Sequence, residues 1–125
     1  MTHHTGPRLV ALRGATTVAQ DESGSIKEAT AELLRELLKR NALSVEDIVS
    51  IVFTATSDLQ ADFPAVAARE IGLSHTPLLC AQEIPVAGAV ARCVRVLIHC
   101  YPTAGAKPHH VYLREARQLR LDLPE

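Results

Sequence analysis

Three charged residues stand where the local pattern would put strand-borne or buried side chains: Arg13, Glu83 and Arg95. Arg13 is expected at the end of a first β-branched, apolar strand, beside a flexible Gly14. Glu83 closes the run Leu78-Leu-Cys-Ala-Gln-Glu83 just before Ile84-Pro85. Over residues 94–100, strict alternation sets Val94, Val96 and Ile98 on one face and Arg95, Leu97 and His99 on the other. Two readings stay open for each charge. It is either a solvated surface group, with Arg95 snorkelling out along its strand, or a fixed charge in a binding site. In the second case the chemistry is recognition of an anion, because a guanidinium offers a planar fork of donors that fits carboxylate and phosphate. Ten of the thirteen basic residues are Arg, a bias that GC-rich codons would produce equally well. The sequence contains no G-x-S-x-G, P-loop, GxGxxG or HExxH motif to carry nucleophilic, nucleotide or zinc-hydrolase chemistry.

Metal chemistry is poorly supported. Cys80, Cys93 and Cys100 form an odd set without CxxC spacing, which predicts reduced thiols rather than a zinc site or a disulfide framework. His109 and His110 are adjacent, so on a strand they face opposite sides and cannot share one ion. No metal or cofactor is therefore expected.

The elements that must position these residues follow from periodicity. Residues 1–7 read as a loose tail, residues 8–122 as one domain, and residues 123–125 as a short end. Residues 8–18 predict a strand interrupted at Gly14. Ser25 three residues before Glu28 is a capping box. After it, Ile26, Ala29, Thr30, Leu33, Leu34, Leu37 and Leu38 keep the rhythm of one helical face, opposite Lys27, Glu28, Glu32, Arg35, Glu36 and Lys39. Ser44-Val-Glu-Asp47 repeats the capping-box signature at a short turn. Residues 48–56 are an almost unbroken β-former run, which predicts a central strand covered on both faces. A second helix spans residues 64–71, opened by Pro64 and stopped by Gly72. Further strands are expected at residues 76–83, 94–100 and 109–113. Strands outnumber helices, so the expected class is α+β, a mixed and mostly antiparallel sheet with helices on one face. A domain this small has difficulty covering such apolar strands alone, so another copy of the chain is expected to cover part of the sheet.

Composition narrows the partners. In 125 residues, 13 Lys+Arg against 14 Asp+Glu give a net charge of −1, which argues against bulk nucleic-acid affinity. Aromatic residues are only 3%, too few for base-stacking platforms. No apolar run approaches the ~18 residues of a membrane span. The first residues carry no cationic patch before an apolar core, so the expected location is the cytoplasm.

Six blocks then fall into register. Arg13-Gly-Ala-Thr-Thr-Val18, Thr56-x-Asp58-Leu-x-Ala-x-Phe-Pro-Ala65, Ala68-Arg-Glu70, Gln82-Glu-x-x-Val86, Arg95-Val96 and His110-Val-Tyr-Leu113 together resemble the small trimeric chorismate mutases, in order and with near-family spacing from about Arg8 to Asp122. The resemblance implies a homotrimer of pseudo-α/β-barrel form, with active sites in clefts between subunits, and chorismate as substrate. It further implies the [3,3]-sigmatropic rearrangement of chorismate to prephenate, on the way to phenylalanine and tyrosine.

By the same resemblance, Arg95 donates to the ether oxygen and a carboxylate, and Arg13 binds a carboxylate. Glu83 accepts from the ring hydroxyl, and Tyr112 donates its phenol to a carboxylate. Cys80 lines the pocket, Phe63 and Arg69 come from the adjacent subunit at the cleft mouth, and Arg120 belongs to a C-terminal segment that closes over the ligand. Many relatives carry a lysine where this chain has Val66, so some electrostatic steering at the entrance is expected to be lost. A pericyclic step needs no nucleophile and moves no proton, so kcat is expected to stay nearly flat from about pH 6 to 9. The competing class is a non-catalytic trimeric module binding a small carboxylate metabolite, which would keep Arg13 and Tyr112 without needing Arg95 and Glu83 together. A purely structural interaction protein would need no converging charges.

Overall fold

The structure is a computed structural model that describes residues 7–120; all of the expected tails but Pro7 lie outside the described residues. Strands β1 (Val10–Thr17), β2 (Ile48–Ala55), β3 (Leu78–Gln82), β4 (Cys93–Cys100) and β5 (Val111–Tyr112) form one sheet in the order β3-β2-β4-β1-β5. β4 pairs antiparallel with β1 and β2, whereas β2–β3 and β1–β5 are parallel. Helices α1 (Ser23–Arg40) and α2 (Ala65–Glu70) cover one face, and two short 3-10 segments occupy Val45–Asp47 and Arg114–Arg120. The α+β class and the mixed sheet match expectation.

Alternation decides which face is covered. Leu12 of β1, Ile51 and Phe53 of β2, and Val94, Val96 and Ile98 of β4 are buried against Leu33, Leu34 and Leu37 of α1 and its neighbours. Six of the seven expected stripe residues of α1 are fully buried, and Leu38 is half-buried. α2 ends as Gly72 implies: the glycine takes φ +105°, its N–H donates to Arg69 O at 3.2 Å, and Leu73 N–H donates to Ala68 O at 3.0 Å. This is the Schellman pattern.

Four local expectations are corrected. β1 runs unbroken through Gly14, because the glycine serves close packing: a Cβ there would lie 2.7 Å from Leu37 Cδ1 and 3.1 Å from both Leu33 Cδ1 and Val96 Cγ2. α1 starts earlier than the Ser25–Glu28 signature, with Glu22 at its N-cap and no side-chain cap bond. Instead Ser23 donates its hydroxyl to Asp62 and ties the helix start to the loop before α2. Asp47 does accept both the Ser44 N–H and hydroxyl, at 2.9 and 3.1 Å, at the second signature. β2 is internal but, among the described residues, is covered on one face only, with Ser50, Val52 and Thr54 half-buried on the other. β5 keeps two residues of the five expected, because the Asn41 side chain takes both polar groups of the His109 peptide, at 2.8 and 2.9 Å.

Among the described residues, the opposite face of the sheet is covered only where the segment Arg114–Arg120 crosses it and packs Ala116 against Ala15 and Cys93. Since Gly14 lets α1 close on β1, Gly14→Ala is expected to cost about 1–3 kcal/mol by overpacking. The urea midpoint measures it; an unchanged midpoint would contradict this account of the glycine.

Candidate active site

On the face opposite α1 and α2 the strand register builds a row. Ala81 of β3 pairs with Thr54 of β2, Thr54 with Arg95 of β4, Arg95 with Ala15 of β1, and Ala15 with Tyr112 of β5. Paired residues project to the same side of a sheet. Arg13 stands one step along β1, opposite Leu97, which in turn pairs with Val52. From Thr54 to Tyr112, with Arg13, Leu97 and Val52, these residues floor a cleft of about 420 Å³, walled by Glu83 at one side and by Leu119 and Arg120 at the other.

Glu83 lies just past β3, where its N–H donates to Ala55 O at 2.9 Å and continues the β2–β3 ladder. Its carboxylate is held twice on the same oxygen. Thr54 donates its hydroxyl to Glu83 Oε2, and Arg95 Nε lies 3.7 Å from that atom. Arg95 is about half exposed within the single chain (48%), so the ion pair adds little to stability and its consequence is geometric. Behind Arg95 lies the buried thiol of Cys93. Burial pushes its pKa up, while the Arg95 charge and hydrogen bond pull the other way.

The cleft therefore gathers Arg13, Glu83, Arg95, Tyr112 and Arg120, five of the eight residues singled out from the sequence. The other three lie apart from it within this chain. Cys80 pairs with Phe53, so its side chain turns toward the helix-covered face and packs on the core. It lines a second cavity of about 550 Å³ together with Phe63, which is 67% exposed. Arg69 is on the exposed side of α2. Thr54 and Leu119 line the cleft and were not singled out. Threonine on a strand reads as a β-former, and only its shared parity with Val52, out of step with Ile51 and Phe53, hints that it faces away from the core.

Among the described residues, no three His, Cys, Asp or Glu side chains converge as metal ligands would. No helix among the described residues is long and apolar enough to cross a membrane. Three guanidinium groups, one carboxylate and one phenol around a small cleft can hold a compact dianion and orient a hydroxyl on it. They offer no activated nucleophile.

Fold and cleft together define a candidate enzyme site built from placed charges. The chain belongs to the chorismate mutase type I family, which it matches over residues 9–123. It is 46% identical over 114 residues to chorismate mutase AroH of Thermus thermophilus, covering 90% of this chain and 93% of that protein. It is 39% identical over 114 residues to chorismate mutase AroH of Bacillus subtilis, covering 90% of each. The fold superposes on a chorismate mutase structure from Clostridium thermocellum with a TM-score of 0.83 at 44% identity, covering 87% of this chain and 98% of that one. The activity is accordingly that of a chorismate mutase.

The Thr54–Glu83 bond is the contact that orients the carboxylate. Thr54→Val keeps the shape and removes the donor, so kcat/KM is expected to fall about tenfold, the ordinary weight of a hydrogen bond to a charged group. Thr54→Ser is expected to retain most of the rate. Parent-level turnover in the valine variant would show that Glu83 needs no such support.

Proposed function

We propose that this cleft converts chorismate to prephenate by confinement and placed charge alone, in a homotrimer whose sites lie between neighbouring chains. The rearrangement breaks one C–O bond and forms one C–C bond in a single step without proton transfer. A protein can speed it only by holding the compact, chair-like diaxial conformer and by stabilising charge that develops as the C–O bond stretches.

Negative charge grows on the ether oxygen, and Arg95 is the cation that meets it while also touching a carboxylate. Arg13 anchors a carboxylate of the dianion, and Tyr112 donates its phenol to one. Glu83, locked by Thr54, accepts from the ring hydroxyl and faces the positive character that develops on the ring. Arg120 closes over the ligand. Phe63, Arg69 and Cys80 complete the mouth of the cleft of a neighbouring copy. Support for the last point is that all three lie away from the cleft in their own chain and that Phe63 and Cys80 share a cavity. Exposed Leu79, Ile84 and Val86 around β3 supply apolar surface for such a contact. Val66, where many relatives carry lysine, lowers the positive potential at that mouth and with it the steering of substrate. The free thiols of Cys80, Cys93 and Cys100 support a reducing, cytoplasmic setting.

The observation that carries this reading is the convergence of Arg95 and Glu83 in one cleft with Arg13 and Tyr112. A module that only binds a carboxylate metabolite needs the last two and has no use for the first pair. Loss of chorismate absorbance is the assay. Arg95→Ala is expected to lose about 10²–10³ in kcat while staying folded and assembled. Activity within a few-fold of the parent would remove Arg95 from the mechanism.

Shared sites make a separate prediction. Arg95→Ala chains refolded together with Phe63→Ala/Arg69→Ala chains are expected to regain activity, with about a quarter of the sites intact by random assembly. No regain above the two variants alone would mean that each site is built from one chain.

A further inference from the structure

Arg13 stands at the point where the β1–β5 ladder stops. Leu113 N–H donates to Ala15 O at 2.9 Å, and Gly14 and Ala15 pair with Val111 and Tyr112. Two residues back along both strands, a continued parallel ladder would bring the Arg13 N–H to the His109 carbonyl. That carbonyl is already taken. Asn41, the buried C-cap of α1, donates from Nδ2 to His109 O at 2.9 Å and to Leu37 O at 2.9 Å, and accepts from His109 N–H on Oδ1 at 2.8 Å. The clamp fixes the residue before His110 to the end of α1 and leaves the Arg13 amide without its ladder acceptor. The His110 ring fills the gap: Arg13 N–H donates to His110 Nδ1 at 3.0 Å.

We infer that His110 is a positioning residue for Arg13: its Nδ1 stands in for the missing ladder carbonyl and holds the backbone from which the Arg13 guanidinium enters the cleft. This rests on the reading of Arg13 as a carboxylate anchor. An accepting Nδ1 requires the neutral ring with its proton on Nε2. The surroundings favour that form. Partial burial pushes the His110 pKa below its usual 6.5, and the charges of Arg13 on β1, Arg120 in the 3-10 segment and His109 push the same way. Below its own pKa the ring carries a proton on Nδ1, which meets the Arg13 N–H donor to donor, and the hold on Arg13 is lost. The same depressed value means that the unfolded chain takes up this proton more readily, so stability also falls as pH drops below the usual histidine range.

A substrate carboxylate is present in both ground and transition states, so a loosened Arg13 acts on KM more than on kcat. The experiment measures chorismate kinetics for the parent, His110→Ala, His110→Asn and Arg13→Ala at about pH 7.5 and about pH 5.5, with folding followed by circular dichroism. The Asn amide oxygen sits where Nδ1 does, accepts the same bond and does not titrate.

At the higher pH, His110→Ala is expected to raise KM about fivefold, the weight of one hydrogen bond, with kcat little changed. His110→Asn is expected to stay within about twofold of the parent. On acidification the parent's KM is expected to rise while that of His110→Asn stays flat. A parent-level KM in the alanine variant overturns the inference, as does an asparagine variant that behaves like alanine or follows the parent's acid rise. If His110→Ala does not fold, the asparagine profile alone decides. An unimpaired Arg13→Ala would instead overturn the anchor reading itself, which separates the two failures.

Discussion

A strand whose alternate residues are committed to a core has only the others left to offer a ligand. In β4, Val94, Val96 and Ile98 are buried under α1 and its surroundings, which turns Arg95 and Leu97 onto the opposite face. Because β4 lies at the middle of the five strands, its register sets every neighbour in the row from Ala81 to Tyr112. A slip by one residue would send Arg95 into the core and Val96 into the cleft. The position of the cation is therefore enforced by the same hydrophobic packing that stabilises the fold.

Placed charge is useful only if it does not relax away from its work. Arg13 and Arg95 rise from adjacent paired strands, and the carboxylate facing Arg95 is fixed by Thr54 from a third. Gly14 keeps α1 tight against β1 directly behind Arg13, and Asn41 ties the C-terminal end of the same helix to the segment that leads into β5. One long helix thus braces β1 behind Arg13 and also the segment that leads into the neighbouring β5. Arg13, Arg95 and Tyr112 sit on paired strands and Glu83 at a strand end, which hold geometry better than free loops do. For a reaction without a covalent intermediate, this rigidity is what the protein can contribute.

Much of this was readable in the residues. The stripe from Ile26 to Leu37 was legible because an eighteen-residue helix repeats its period enough times to be unmistakable. Arg13, Glu83 and Arg95 stood out as charges on apolar strands, but alternation alone left a solvated surface group open for each, and only the resemblance of six blocks in register drew them into one site. What escaped depends on contacts distant in sequence. The shortness of β5 comes from Asn41, 68 positions from His109, and no local pattern shows it. The start of α1 is settled by a Ser23–Asp62 bond across 39 positions rather than by a nearby cap. Cys80 and Glu83 are three residues apart, yet Cys80 turns with Phe53 toward the core while Glu83 lies past the strand end at the cleft. Thr54 gave no sign beyond its parity on β2, because its hydroxyl matters only once Glu83 lies beside it.

The central claim is that a fixed positive charge at position 95, rather than the bulk of the side chain, stabilises the stretched C–O bond. Citrulline at this position keeps the length, planarity and most of the donors of arginine while removing the charge. Measured single-turnover rates for chorismate on the citrulline protein, at saturating substrate, should fall by about 10² or more. A rate equal to that of the arginine protein would contradict the account.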